Sequence, residues 1–517
     1  MNNNIAPTPT PTPTPTPRIE YGRTDVSFAW ISILLGYLMM LAWPGAQYPL
    51  GMFLFTALCY GATFYYIKKQ GGNLRGSRLV IPVSAVALNF GLLINSNHAV
   101  MSAVVAYSFF AYVLWVYTAF DGEKDRSPFD VYLAAGLGKA LTVLPFGSFF
   151  SVFESSSQIK SATGKQITKT LLRIILGLAI AVVPTIVIIL LLSFDEGFSR
   201  IVDNIFEFDL SGIFRHIGKF ILGIPVAMYL FGLLYSASSG RYGRGIDREK
   251  CDTAAKKVRF APVAMVCAAL TPIICLYGIF FFAQLEYFVS AFSGNLPAHF
   301  TYAQYAREGF FQLCVVSFLN LIMLACAYIF CRRNDKAPLI LKIYCTALSS
   351  LTLVLITTAL SKMIMYIDVY GLTVKRVLSS WFIILLAAVF ICIVIAIFVR
   401  KFNLTKALFA VFLVLFALLV FCNVDGMCYY YNANRCIDGT LDISAFDQPE
   451  YRYGIHIDQY AVPALDKIVR EAPDTQAGGW AKNQLQAVAN HDPYIEKGFF
   501  SQNLPSILRE NILNRYR

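Results

Sequence analysis

Eleven apolar stretches, each close to the roughly 20 residues that a helix needs to cross a hydrocarbon core, recur between Val26 and Phe421 and leave this chain few ways to fold. They run near Val26–Trp43, Pro49–Ile67, Leu79–Asn95, Ala99–Phe120, Leu171–Ser193, Ile217–Ser238, Pro262–Phe288, Gly309–Cys331, Pro338–Leu360, Val377–Val399 and Thr405–Phe421. Only 14% of the residues are charged, against about 25% in an average soluble chain, and mean hydropathy is +0.58. A soluble globular enzyme is excluded. The expected fold is an all-α polytopic membrane protein, and the odd number of spans puts its termini on opposite sides.

Loop charge sets the orientation. Basic clusters fill the even-numbered loops: Lys68, Lys69, Arg75 and Arg78; Lys160, Lys165 and Lys169; Arg241 to Arg259; Arg332, Arg333 and Lys336; Arg400, Lys401 and Lys406. The positive-inside rule makes these loops cytoplasmic. The N-terminus is then cytoplasmic and the C-terminal segment lies outside. From Asn423 onward 12 acids face 9 bases, so the +12 of the whole chain becomes +15 on the remainder. Short basic loops beside spans need no nucleic acid to explain them, and anionic lipid accounts for them. Between Asp195 and Arg215 acids dominate, as an outer loop requires. The ninth loop breaks the rule, with Lys362, Lys375 and Arg376 against Asp368 on the outer side.

Three domains follow. Residues 1–25 are a Thr/Pro-rich tail, extended and solvated because alternating Thr and Pro cannot form a helix. No apolar core and cleavage site precede Val26, so the first span is retained rather than removed as a signal peptide. Residues 26–422 are the transmembrane domain, and 423–517 a small helical extracytoplasmic domain, broken by Pro449, Pro463, Pro473, Pro493 and Pro505. Two further segments fit neither class: Val131–Phe150 reads as an interfacial or re-entrant helix, and Ile201–His216 as a second amphipathic candidate on the outer side.

Metal and cofactor chemistry finds no motif. Most cysteines fall in apolar runs, where thiols behave as small hydrophobes, and the five histidines show no ligand spacing. Cys428 and Cys436 are the only pair outside the spans on the oxidising side, but a continuous helix between them would hold the thiols about 12 Å apart, too far to bridge. Gly240-Arg-Tyr-Gly-Arg-Gly245 lacks the Lys-Ser/Thr of a phosphate loop and reads as a basic loop.

The candidate site is a set of polar residues at one membrane face: Glu286, Tyr305 and Arg307, then Lys362, Tyr366, Asp368 and Arg376, then Asp425 and Asn434. On a helix Lys362, Tyr366 and Tyr370 share one face, the wall of a polar cleft. Charges at this depth are costly unless paired or hydrated. They are either interhelical ion pairs and snorkelling side chains, or the site of an anionic ligand that would explain the ninth loop.

At these same residues the sequence resembles a bacterial family of multi-pass membrane proteins described only as a domain of unknown function, of the DUF4153/DUF4173 type. The matching pieces are Leu190-Leu-Leu-Ser-Phe-Asp195 with Phe198, Tyr302-Ala-Gln-Tyr-Ala-Arg-Glu-Gly-Phe-Phe311, and Lys362-Met-Ile-Met-Tyr-Ile-Asp-Val-Tyr-Gly-Leu-Thr373 with Arg376. Asn423-Val-Asp425, Asn434 and Ala461-Val-Pro-Ala-Leu465 continue the match, which covers roughly Leu171 to Leu465. The resemblance implies a bacterial polytopic protein with a helical C-terminal tail, and it supplies no reaction. One departure is that Tyr460 stands where members carry an acid before Ala461-Val-Pro463.

The leading reading is a non-enzymatic protein of the bacterial cytoplasmic membrane, without a cofactor, that binds or moves an anionic lipid or solute at the outer face. Helices broken at Pro184, Pro225 and Pro272 would supply a transport path. The second reading is a sensor or scaffold acting through a signalling or envelope protein partner. The third is a lipid-linked group transferase, although Trp43-Pro-Gly-Ala-Gln-Tyr-Pro49, the first outer loop, lacks the acids typical of lipid-carrier glycosyltransferases.

Overall fold

The computed structural model describes residues 21–42, 49–95, 97–122, 129–157, 210–283, 302–332, 339–443, 452–453, 456–457, 460–491 and 504–517. The Thr/Pro tract, the expected fifth span and Pro184 lie outside the described residues. The rest is almost entirely helical, apart from a two-residue antiparallel pair, Arg452–Tyr453 with His456–Ile457.

Nine described helices are long and apolar enough to cross a membrane. They are α1 (Arg23–Ala42), α2 (Pro49–Lys69), α4 (His98–Ala119), α8 (Leu210–Ser239), α10 (Val263–Ala283), α11 (Tyr302–Phe330), α12 (Leu339–Tyr370), α13 (Val374–Phe398) and α14 (Leu404–Phe421). Large apolar side chains such as Leu34, Leu58, Phe282 and Val414 stay exposed along them, as lipid requires.

The expected third span is shorter. Helix α3 (Ser77–Phe90) and its closing 3-10 turn (Gly91–Leu93) make one apolar rod. It still reaches both ends of its neighbours: Arg78 Nε donates to the Thr118 carbonyl at 2.9 Å at one end, and Asn95 Nδ2 to the Val420 carbonyl at 2.7 Å at the other.

The expected breaks at Pro225 and Pro272 are absent, because α8 and α10 continue through both prolines. Neighbouring packing in a membrane helix tolerates the lost hydrogen bond, so these positions give no unwound backbone for transport. Helix α8 also absorbs the end of the expected interfacial segment, beginning at Leu210, while residues 201–209 lie outside the described residues. Val131–Phe150 folds as two short helices, α5 (Leu133–Leu141) and α6 (Val143–Gly147), which pack against α4 and α8 and are too short to cross. Helix α7 (Ser151–Ser157) follows them. The Gly-rich stretch is a turn in which Gly240, Gly243 and Gly245 all have positive φ. Lys139 Nζ donates to the Gly243 carbonyl at 2.9 Å and the Gly245 carbonyl at 2.6 Å, so it is a packing element. Helix α9 (Arg248–Val258) lies beyond it with no buried residue.

One apolar core joins α1 to α8, and a second joins α10 to α13. A third seals α14 and α13 against α3 and α4. Buried polar side chains pin each half internally. Thr56 Oγ1 donates to Asn89 Oδ1 at 3.2 Å, and Asn89 Nδ2 donates to Ser108, tying α2, α3 and α4. In the other half the Tyr277 hydroxyl donates to Asn320 Oδ1 at 2.7 Å, and Asn320 Nδ2 to Thr352 Oγ1 at 2.8 Å, tying α10, α11 and α12. Asn320→Leu leaves Tyr277 and Thr352 without this partner and is expected to cost about 1 kcal/mol. An SDS-unfolding titration reads it, and an unchanged midpoint would mean that the triad is not formed in lipid.

After α14 come α15 (Val424–Ile437), α16 (Ala461–Glu471), α17 (Gln476–His491) and α18 (Leu504–Leu513), which share a separate apolar core around Tyr429, Leu465, Ile468 and Leu485. Cys428 and Cys436 lie on the continuous helix α15 and are not joined in a disulfide.

Candidate functional site

Helix α12 continues ten residues past the end that the apolar pattern predicts at Leu360, running through Lys362, Tyr366 and Asp368 to Tyr370. Gly371 then turns the chain with φ +77°, a conformation that strains any side chain, and a Cβ there would lie 2.6 Å from Asn432 Oδ1. Thr373 caps the next helix, its hydroxyl accepting from Arg376 N at 3.5 Å. The polar residues of the ninth loop therefore sit on helix ends.

The last carbonyls of α12 would be orphans, and two arginines satisfy them. Arg376, buried, donates from Nη1 to the Tyr370 carbonyl at 3.0 Å and to the Gly371 carbonyl. Its guanidinium carbon stands 4.0 Å from the Tyr366 ring centroid and 6.0 Å from that of Tyr370. Arg435, on α15, donates from Nη1 to the Asp368 carbonyl at 2.8 Å. Its other nitrogens hold Thr440, and its guanidinium lies over Tyr431. Cations at a helix C-terminus are stabilised by the helix dipole.

Asn432 completes the joint. Its Oδ1 accepts from Leu372 N at 2.7 Å and its Nδ2 donates to the Leu372 carbonyl at 2.9 Å, in the manner of a strand partner. Helix α15 is thus clamped on the α12–α13 turn. It is also tied to the start of α4, since Asn97 Nδ2 donates to buried Asp425 at 3.1 Å. Tyr460 donates its hydroxyl to the Ile94 carbonyl at the end of α3, docking the C-terminal helices there.

The candidate residues divide accordingly. Tyr366, Tyr370 and Arg376 are in contact, with half-buried Lys362 one turn earlier on the same face. The Asp368 side chain is exposed and the residue serves the joint through its carbonyl. Asp425 and Asn434 belong to other contacts, Asn434 accepting from Lys467 Nζ on α16. Tyr305 and Arg307 lie near the start of α11, where the backbone alone is described, and Glu286 lies outside the described residues. Helix α11 packs along α12, and Phe310 shares a core with Met363 and Tyr366, which places that start beside the end of α12. Sequence reasoning missed Asn97, Asn432 and Arg435, and noticed Tyr460 without giving it a contact. The one available signal was the polar Asn432-Ala-Asn-Arg435 run interrupting the aromatic face of α15.

Away from the membrane, Asp466 is buried beneath Tyr516, whose hydroxyl donates to it at 2.8 Å. Burial first, then this bond to the carboxylate, pushes the Tyr516 hydroxyl up to about 12. Among the described residues no group of three His, Cys, Asp or Glu side chains could hold a metal ion.

No curated protein and no solved structure matches the chain. A family profile does, over residues 82–468, three quarters of the length, including the α12–α13 turn, its clamp and the start of α16. The chain belongs to the family described as Domain of unknown function (DUF4153).

Proposed function

We propose that this integral membrane protein recognises an anionic lipid headgroup or small anionic solute at the outer face of the cytoplasmic membrane, around the α12–α13 turn. One observation carries the reading. Among the described residues, Arg376 and Arg435 converge on a single helix end with carbonyls, a hydroxyl and aromatic rings as hydrogen-bond and ring partners. The C-terminal end of a helix offers about half a negative charge and exposed Asp368 one more, together still less than two guanidiniums carry, so the turn keeps a small positive surplus. Lys362 and exposed Lys375 add to it. An anion here also gives a reason for the basic ninth loop on a side where such loops are rare.

In this reading Arg376 and Arg435 hold the turn and set its potential. Lys362, Lys375 and Arg307 meet the ligand, Tyr366 forms the wall, and Tyr305 and Glu286 border the cleft. Residues 1–25 are a cytoplasmic tail and 423–517 an extracytoplasmic unit. Lipidomics of gently purified protein tests it. Wild type retains an anionic lipid or solute, and Lys362→Gln/Lys375→Gln loses most of it, about tenfold for one lost charge-assisted contact. Equal retention by both would refute the site.

The second reading, a sensor acting through a partner protein, has its own support. Asn432 and Arg435 fasten α15 to the α12–α13 turn while Tyr460 and Asp425 fasten the same region to α3 and α4. A partner that moved the C-terminal helices would pull on both halves of the bundle.

A further inference from the structure

The C-terminal helices border a half-open hollow of about 230 Å³, lined by residues other than those of the α12–α13 turn. Its wall includes Tyr430 of α15, Lys467, Arg470 and Glu471 of α16, and Leu508 and Arg515 of the last helix and its tail. The charges are arranged in two parts. Arg470 Nε lies 3.1 Å and Arg515 Nη1 3.8 Å from Asp466 Oδ2, so one buried carboxylate fixes both guanidiniums at their inner edges. Their side chains remain 65% and 62% exposed, so neither guanidinium is used up by the carboxylate it pairs with. Glu471 is the other acid on the wall, 53% exposed and 3.8 Å from Lys467.

The Tyr430 edge of the mouth lies within or just beyond the polar layer that follows the last span. Span α14 ends at Phe421 and α15 starts at Val424, so Tyr430 is at most about 9 Å along the helix from its start. The polar layer on each side of a bilayer is about 5–8 Å thick. Beside the mouth, Leu504, Ile507 and Leu508 on α18 and Met427 and Tyr430 on α15 are exposed. They offer an apolar rim next to a charged hollow, the combination that an interfacial helix presents to lipid.

A simple anion would suit the three bases but would face Glu471. A ligand with a phosphate and a protonated amine satisfies both signs. We propose that this cavity is a headgroup site for a phospholipid bearing a phosphate and a primary ammonium, the phosphate against Arg470, Arg515 and Lys467, the ammonium on Glu471, and the acyl chains along Leu504, Ile507 and Leu508.

Native mass spectrometry of the full chain in lipid-free detergent tests this. It is titrated with dioleoyl phosphatidylethanolamine, phosphatidylcholine, phosphatidylglycerol and soluble glycerophosphoethanolamine. The ethanolamine lipid should be retained about tenfold better than the choline lipid, whose quaternary amine cannot donate to Glu471. Glu471→Gln should abolish that preference without weakening phosphatidylglycerol, and Leu508→Trp should fill the hollow and displace the ethanolamine lipid. Lys362→Gln should change neither. Equal retention of the ethanolamine and choline lipids, or a preference that survives Glu471→Gln, overturns the proposal. So does binding of the soluble headgroup as tight as that of the lipid, which would assign the cavity to a free solute.

Discussion

Gly36→Ala should destabilise the protein by about 3 kcal/mol or more, at the upper end of what overpacking costs. Helices α1 and α8 cross backbone to backbone at Gly36 and Gly223. A Cβ on Gly36 would lie 2.2 Å from the Gly223 carbonyl oxygen, and a Cβ on Gly223 would lie 2.7 Å from the Gly36 carbonyl oxygen. Both obstacles are main chain, so no side-chain rotation relieves them, and the helices must separate. That separation strains neighbouring contacts between the same helices, including the 2.9 Å hydrogen bond between Tyr37 and His216. Small residues at such crossings are how membrane helices gain close packing. Gly61→Ala, on α2 with open space around its Cβ, should be neutral or stabilising by up to about 1 kcal/mol. Unfolding midpoints of both variants in mild detergent check the contrast, and similar midpoints would show that the α1–α8 contact is looser than described.

Arg376→Met should cost about 3 kcal/mol, because it strips two carbonyls at the end of α12 of a charged donor and removes the cation from beside the Tyr366 ring. Arg376→Lys keeps the charge but loses the planar fork and the stacking surface, and should recover less than half of the loss. The damage should be local first, with faster amide hydrogen exchange at Tyr370 to Val374 before the spans respond. If Met and Lys are equally mild, the carbonyls are satisfied by water and Arg376 is not what closes the helix.

These effects mark the line between what the residues alone declare and what only the fold reveals. Spans are legible because lipid offers the backbone no partners, so each crossing must be a helix clad in about 20 apolar residues. The same rule fails at the ends. The spacing of Lys362, Tyr366 and Tyr370 fits a helix but does not say where α12 stops, because its end is closed by Arg376 just beyond the turn and by Arg435, 67 positions away, reaching backbone carbonyls. Arg376 stood out by charge, but its partners are main-chain atoms, which every residue has and no sequence pattern marks. Asn432 was invisible for the same reason, since it reads the Leu372 backbone rather than a side chain. Asp425 stood out as a charge at the exit of the last span, but that the fold buries it against Asn97, 328 positions away, is visible only in the structure. Pro225 and Pro272 misled in the opposite direction, because a proline marks a weak point only when the surrounding helices leave it room to open.

The pH response of the C-terminal helices follows from Tyr516. Its hydroxyl titrates higher in the folded chain than the ordinary tyrosine value of about 10, with a folded value of about 12. The bond to Asp466 therefore contributes its full stability below pH about 10, and the contribution is lost as pH rises through the folded value. Tyr516→Phe should weaken the packing of α16 against α18 by about 1 kcal/mol at neutral pH, read by limited proteolysis, and should remove this part of the alkaline sensitivity.

Photo-crosslinking tests the central claim most directly, with phosphatidylglycerol carrying a diazirine in its headgroup and adducts located by peptide mapping on the protein in nanodiscs. The account predicts adducts concentrated between Lys362 and Arg376 and at the start of α11, competed by unlabelled phosphatidylglycerol and lost in Lys362→Gln/Lys375→Gln. Adducts spread evenly over all span ends, uncompeted and unchanged in the variant, would contradict it and leave the arginines at the α12–α13 turn with a purely structural role.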